Sequence, residues 1–139
     1  MPVIVYRAKN YTNAYGDPVG LVHKIYPDGK TVTTYEDELH ICEITRWKEN
    51  NDLYEYCSYK SECEITYEHH KNGVLHRDDD EPAYSQYEDG YCTEILKWYV
   101  NGKLHRTRGP AVMKNYENED VYTREYYIDG VKMNELCSA

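Results

Sequence analysis

Residues 69–83 read HHKNGVLHRDDDEPA, and residues 97–111 read KWYVNGKLHRTRGPA. Each stretch sets an Asn-Gly dipeptide between short runs of large side chains, then follows it with Leu-His-Arg and, after a brief insert, Pro-Ala. Asn-Gly tolerates positive φ at both central positions of a two-residue turn, so each copy is expected to fold as a hairpin with a type I′ turn. Asn72 and Asn101 lie 29 residues apart, and Asp129-Gly130 follows 28 residues later. Upstream, EITRWKENNDLYE (residues 43–55) superposes without a gap on EILKWYVNGKLHR (residues 94–106), aligning Trp47 with Trp98 and Asn50 with Asn101. The step from Asn50 to Asn72 is shorter, 22 residues, and CEIT at residues 42–45 and again at 63–66 supports it. Self-similarity with a period of this size marks an array of supersecondary units that bury their faces only by stacking.

Further turn signals fall between these: Asp28-Gly29, Glu36-Asp37, Lys60-Ser61, Asp89-Gly90 and Asn118-Glu119. Their flanks, such as TVTTY, LHICEI, EILKWYV and DVYTREYYI, are rich in β-branched and aromatic residues and lack a helical period. The expected fold is all-β, an antiparallel β-meander of repeated hairpins that is either open or curled and partly closed. It forms one domain over residues 1–139, with units near 20–40, 41–62, 63–91, 92–120 and 121–139. The first twenty or so residues, which include NAYGDP, read as an irregular lead-in.

A two-residue turn at Asn101-Gly102 pairs Val100 with Lys103, Tyr99 with Leu104 and Trp98 with His105. The Trp98–His105 column then contains Trp47 with Tyr54, His69 with His76, and Tyr126 with Met133. The adjacent column contains Lys48 with Leu53, His70 with Leu75, Tyr99 with Leu104, and Tyr127 with Lys132. Alternation adds Ile44 and Ile95 to this second face, so the Ile/Leu face is expected to be core and the Trp/His face a half-exposed aromatic strip.

With 139 residues the chain suits one domain, and with 17 Tyr, 2 Trp and no Phe, tyrosine must carry much of the packing. Mean hydropathy is −0.90. The net charge of −9 disfavours duplex nucleic acid or an anionic membrane and favours a protein partner with a basic surface. Five cysteines at irregular spacing (Cys42, Cys57, Cys63, Cys92, Cys137) suggest reduced thiols rather than a disulfide framework or zinc ribbon. No apolar run resembles a signal peptide or a membrane span, so a cytoplasmic location is expected, that of the host cell if the protein is viral.

The string Trp98 to Ala111, W-Y-V-N-G-K-L-H-R-x-x-G-P-A, resembles a MORN-like repeat of proteins from giant DNA viruses, bacteriophages and some bacteria. The unit at residues 69–83 keeps Asn-Gly, Leu-His-Arg and Pro-Ala but is one residue longer. True MORN repeats carry a Gly-x-Gly rhythm that is missing here, so the resemblance implies hairpin arrays used as scaffolds or interaction surfaces, and a viral origin, but not a lipid-binding role.

The recurring pairs His76-Arg77 and His105-Arg106 read either as a duplicated anion site or as a structural ladder, with imidazole stacked on Trp98 or His69 and Arg paired to nearby acids; the ladder is the favoured reading. Cys63, His69, His70 and His76 could be assembled into a zinc site, but His69 stands where Trp47 and Trp98 stand, so aromatic substitution is simpler and no metal or other cofactor is expected. Asp78, Asp79, Asp80 and Glu81 lack the spacing of a calcium loop and read as a solvated acidic bulge. No catalytic motif is present, and the chain is not expected to be an enzyme. The function expected is a non-enzymatic protein–protein interaction module, viral or phage-borne, that binds and inhibits a host factor through an acidic tyrosine-rich surface. Nucleic-acid mimicry is a variant, since carboxylates two residues apart on a strand lie about 6.8 Å apart, near the phosphate spacing of one DNA strand. The binding residues named are Trp98, Tyr99, His105, Arg106, His76, Arg77, Asp78, Asp79, Asp80 and Glu81. The alternatives are an assembly protein forming homo-oligomers through sheet edges and a small-anion or nucleotide pocket.

Overall fold

The structure is a computed structural model that describes residues 2–12, 16, 18–88, 93–115 and 122–134. Among the described residues there are fourteen strands and no helix. They are β1 (Ile4–Thr12), β2 (Pro18–Ile25), β3 (Thr31–Glu36), β4 (Ile41–Glu49), β5 (Asp52–Lys60), β6 (Glu64–Lys71) and β7 (Val74–Leu75). There follow β8 (Tyr84–Glu88), β9 (Thr93–Lys97), β10 (Tyr99–Val100), β11 (Lys103–Leu104), β12 (Val112–Asn115), β13 (Thr123–Ile128) and β14 (Val131–Met133). One antiparallel sheet runs β1-β2-β3-β4-β5-β6-β8-β9-β12-β13-β14, with β7 on β6 and β10 paired to β11. The sheet is an open meander, not a barrel. No described helix is long and apolar enough to cross a membrane.

The hairpin register is the one that two-residue loops dictate. Tyr99 faces Leu104, Val100 faces Lys103, Trp47 faces Tyr54 and Tyr126 faces Met133. Both central residues have positive φ at Asn50-Asn51 (52° and 68°), Asn72-Gly73 (49° and 84°), Asn101-Gly102 (51° and 81°) and Asp129-Gly130 (49° and 81°), which are type I′ turns. The Asp28-Gly29 turn departs from this. Gly29 N–H donates to the Tyr26 carbonyl at 2.9 Å and Tyr26 N–H to that of Lys30 at 2.9 Å, closing a three-residue loop. Pro27 cannot adopt positive φ and favours a type I turn, so only Gly29 takes the left-handed conformation, at 91°. The Glu36-Asp37 and Lys60-Ser61 signals mark real connections, closed by Asp37 N–H to the His40 carbonyl and Ser61 N–H to that of Glu64. The Asp89-Gly90 and Asn118-Glu119 signals lie outside the described residues, as do Cys92 and Cys137.

Two expectations are corrected. The lead-in is not irregular throughout, because residues 4–12 form β1, paired from Ile4↔Ile25 to Thr12↔Pro18 with a register shift between Ala8 and Tyr11. Its Ile4-Val5-Tyr6 run is β-branched and aromatic, as suits a strand, and the Gly16-Asp17 dipeptide in NAYGDP is a hairpin turn signal. The assignment of faces also fails. Trp98 is 7% exposed and His76 6%, whereas among the described residues no large side chain on either face is fully buried. In a single-layer sheet neither face is covered by a second sheet, and the few buried residues run from Val19 and Thr33 to Thr93 and Val112, with His76, Ala83, Trp98 and Ala111 where loops fold back. The chain exposes 9822 Å², against about 7,500 Å² for a compact protein of its mass.

Candidate functional site

The His-Arg pairs sit where one hairpin meets the next, and their contacts repeat. His76 Nδ1 accepts the N–H of Asn101 at 2.9 Å, and His105 Nδ1 accepts that of Asp129 at 3.0 Å. A backbone N–H can only donate, so each Nδ1 is unprotonated and the proton of the neutral ring is on Nε2. In His76 that Nε2–H donates to Asp78 Oδ1 at 2.9 Å. Alongside, Gly102 N–H donates to the Leu75 carbonyl and Gly130 N–H to the Leu104 carbonyl, both at 2.8 Å. Arg77 N–H reaches the Tyr99 carbonyl and Arg106 N–H the Tyr127 carbonyl, at 3.2 and 3.1 Å. Each imidazole therefore caps the turn of the following unit instead of stacking on Trp98 or His69, because the turn leaves an N–H that no ladder partner takes.

The guanidinium groups tie down their own loops. Arg77 donates through Nη1 to the Pro82 carbonyl at 3.2 Å, and Arg106 through Nη1 to the Pro110 carbonyl at 3.1 Å. This is the reason Pro-Ala follows at a fixed interval: the carbonyl of Pro anchors the arginine, and Ala83 and Ala111 are fully buried where the chain re-enters the sheet. Their carbonyls accept the N–H groups of His69 and Trp98 at 2.8 Å. Gly109 is needed for close approach, since a Cβ there would lie 3.1 Å from Arg106 Nη1.

Arg106 goes further than Arg77. Its Nε and Nη2 grip the two carboxylate oxygens of Asp80 at 2.9 and 3.3 Å, and its guanidinium lies 3.9 Å above the Trp98 ring. The indole N–H of Trp98 donates to the Asp80 carbonyl at 3.1 Å. Hydrogen bonding to Arg106 holds the Asp80 carboxyl below its usual range despite some desolvation. The acidic run is thus an inter-unit clasp as well as a solvated bulge, with Asp79 and Asp80 at φ of 65° and 55°.

Nine of the ten residues named from the sequence line one open cleft of about 540 Å³, Trp98, Tyr99 and Arg106 among them; His76 is the exception and lines an adjoining cleft. Trp98 does not belong to an exposed strip, because the loop of the preceding unit covers it. Sequence reasoning missed a second concave surface of about 420 Å³ whose walls include Trp47, Tyr56, Tyr67, His69 and Arg77. There the rings meet across strands, Tyr56 stacked with Tyr67 at 6.0 Å and tilted against His69 at 4.6 Å. Burial, then the Arg77 charge, lowers the His69 pKa to about 4, so this ring is neutral at pH 7. The repeat columns paired residues within each hairpin, Trp47 with Tyr54 among them; the ring neighbours of this cleft come from pairing between hairpins, β5 on β6, which the turn dipeptides do not specify.

Cys42, Cys57 and Cys63 are free thiols. Burial raises the Cys57 pKa to about 11. Among the described residues no group of three or more His, Cys, Asp or Glu side chains is placed to hold a metal ion. No family model, no curated protein and no solved structure matches this chain.

Proposed function

We propose that the chain is a non-enzymatic protein-interaction module whose acidic, tyrosine-rich surface binds a protein partner with a basic surface. The observation that carries this reading is the single-layer sheet: it leaves both faces and their rings partly open to solvent, with 9822 Å² accessible. The excess over a compact protein, about 2,000 Å², is larger than the roughly 800 Å² that one partner contributes to a standard interface. Tyrosine rings offer contact area at low entropic cost. At the end of the sheet opposite the Asn-Gly turns, successive loops and strand ends carry Glu36, Asp37 and Glu38, then Glu62 and Glu64, then Glu88. Hairpins stack at about 10 Å, twice the strand spacing, so these carboxylates form a row that suits a cationic surface. The likeness of residues 98–111 to repeats of viral and phage proteins directs the search to host factors.

The test is affinity capture from a host lysate at 50 mM and 500 mM salt, using the native chain and a Glu38→Gln, Glu62→Gln, Asp79→Asn, Glu81→Gln variant. These side chains make no ion pair among the described residues, and Asn tolerates the left-handed φ of position 79. A basic protein retained at low salt by the native chain and depleted with the variant supports the reading. A partner captured equally by both, at both salt concentrations, refutes it.

One observation favours assembly as a second reading. The edge strand β1 and the residue before it expose Val3 (40%), Ile4 (49%), Val5 (43%) and Tyr6 (59%) in succession, beside backbone groups that no described strand pairs. Such an edge is a template for strand addition. Under this reading Ile4→Lys shifts a concentration-dependent oligomer to monomer in light scattering; a native chain that is monomeric at all concentrations excludes it.

A further inference from the structure

Arg77 and Arg106 are equivalent positions of the repeat, and both anchor Nη1 on a proline carbonyl. In Arg106 the other two nitrogens hold a carboxylate, that of Asp80 from the loop of the preceding unit. Arg77 has no such loop behind it. Glu55 stands in its place one unit earlier, and there the chain runs straight on within β5. That is why the step from Asn50 to Asn72 is 22 residues and the next one 29. Among the described residues no carboxylate forms an ion pair with Arg77, and Nε and Nη2 have no hydrogen-bond partner.

Arg77 lines the concave surface formed by Thr45, Trp47, Tyr56, Tyr67, His69 and Ser85, and on its other side the clefts that carry Asp78, Asp79 and Glu81. His69 occupies the repeat position of Trp98, and burial, followed by the Arg77 charge, keeps its ring neutral. A neutral ring does not compete with Arg77 for an anion, and the other walls are three aromatic rings with the hydroxyl residues Thr45 and Ser85. We propose that Arg77 is a binding site for a carboxylate carried on an apolar body, gripped as Arg106 grips Asp80. The repeat itself supplies the argument for carboxylate chemistry, since the same fork one unit later holds one in a two-point geometry. The site is independent of the basic-partner reading above.

The experiment is a two-dimensional amide NMR titration of the whole chain with benzoate, with benzamide as neutral isostere and inorganic phosphate as a non-planar anion. Benzoate should saturably shift the Trp47 indole N–H and the amides of His69 and Arg77, with benzamide and phosphate at least about tenfold weaker, the cost of one charge-assisted contact. Arg77→Gln should abolish saturation at this site, with spectral changes in the ligand-free chain confined to its own loop at residues 78–83, which loses the Pro82 anchor. Asp80→Asn frees the Arg106 fork and should create a second benzoate site that shifts the Trp98 indole. Equal shifts by benzoate and benzamide, an Arg77→Gln chain that titrates like the native one, or a folded Asp80→Asn chain whose Trp98 indole does not respond would each overturn the proposal. Two peptides then separate the sources: one ending in a free phenylalanine carboxylate and one amidated with an internal glutamate. Tighter binding of either identifies a chain terminus or a side chain as the ligand, and benzoate binding alone identifies a small acid.

Discussion

Trp47 and Trp98 are the same residue of the repeat in two surroundings, and shortening each to Phe should separate them by about 2 kcal/mol. Trp98 is 7% exposed, donates its indole N–H to the Asp80 carbonyl and lies under Arg106. The smaller ring forfeits about 50 Å² of buried apolar surface, about 1.2 kcal/mol at 25 cal/mol/Å². Losing the indole hydrogen bond costs about 1 kcal/mol, and the weaker cation–π contact about 0.5 kcal/mol. The total is about 2.5 kcal/mol, or a midpoint lower by about 8 °C for a chain of this length. Trp47 is part-exposed and stacks on Tyr54 at 5.6 Å, with no indole hydrogen bond among the described residues. Trp47→Phe should therefore cost only about 0.5 kcal/mol. Thermal and urea unfolding by far-UV circular dichroism measure both, and the tryptophan left in each variant reports its own unit by fluorescence. Costs that agree within about 0.5 kcal/mol would show that the loop over Trp98 contributes nothing, and the account of the clasp would fall.

Other outcomes follow from single contacts. Gly73 and Gly102 both need positive φ, but a Cβ at Gly102 would meet Val74 Cβ at 3.2 Å while at Gly73 it would meet nothing; Gly102→Ala should cost about 1 kcal/mol more than Gly73→Ala in urea unfolding. His76→Phe leaves the Asn101 N–H without its acceptor and should cost about 1–2 kcal/mol, with amide exchange at Asn101 accelerating more than at Asn72. The His69 pKa falls from 6.5 to about 4 on folding, so the unfolded chain binds the extra proton between these values. Its contribution to stability is complete above about pH 6.5 and is lost as pH falls toward 4, by about 1–2 kcal/mol once solvent screening of a half-buried ring is allowed for. The slope of stability against pH in that window should flatten in His69→Phe.

The hairpins were legible in the sequence because turn chemistry is local: Asn101-Gly102 alone fixes which residue faces Trp98. The Asp28-Gly29 turn was legible for the same local reason, and its three-residue class follows from Pro27 one position earlier. Burial was less legible. Trp98 and Trp47 both read as half-exposed-strip aromatics, and what distinguishes Trp98 is a loop at residues 78–83, donated by another unit and carrying one extra residue. The capping role of His76 and His105 was invisible for a related reason: the donor each accepts lies 24 or 25 residues downstream, across a unit boundary. Periodicity shows that such residues recur but not whether they face their own unit or the next.

Strands β1 and β14 form opposite edges of a meander in which nearly every strand pairs with its chain neighbours. A load applied through those two edges acts across the strands, so the ladder bonds of one hairpin are strained before those of the next. Under tension the protein should therefore yield as a zipper does, hairpin by hairpin and at low force, and not in one high-force event as when strands are sheared along their length. The inter-unit clasp of Asp80, Arg106 and Trp98 is then the natural place for extension to pause, which makes the sheet a graded mechanical element as well as a surface.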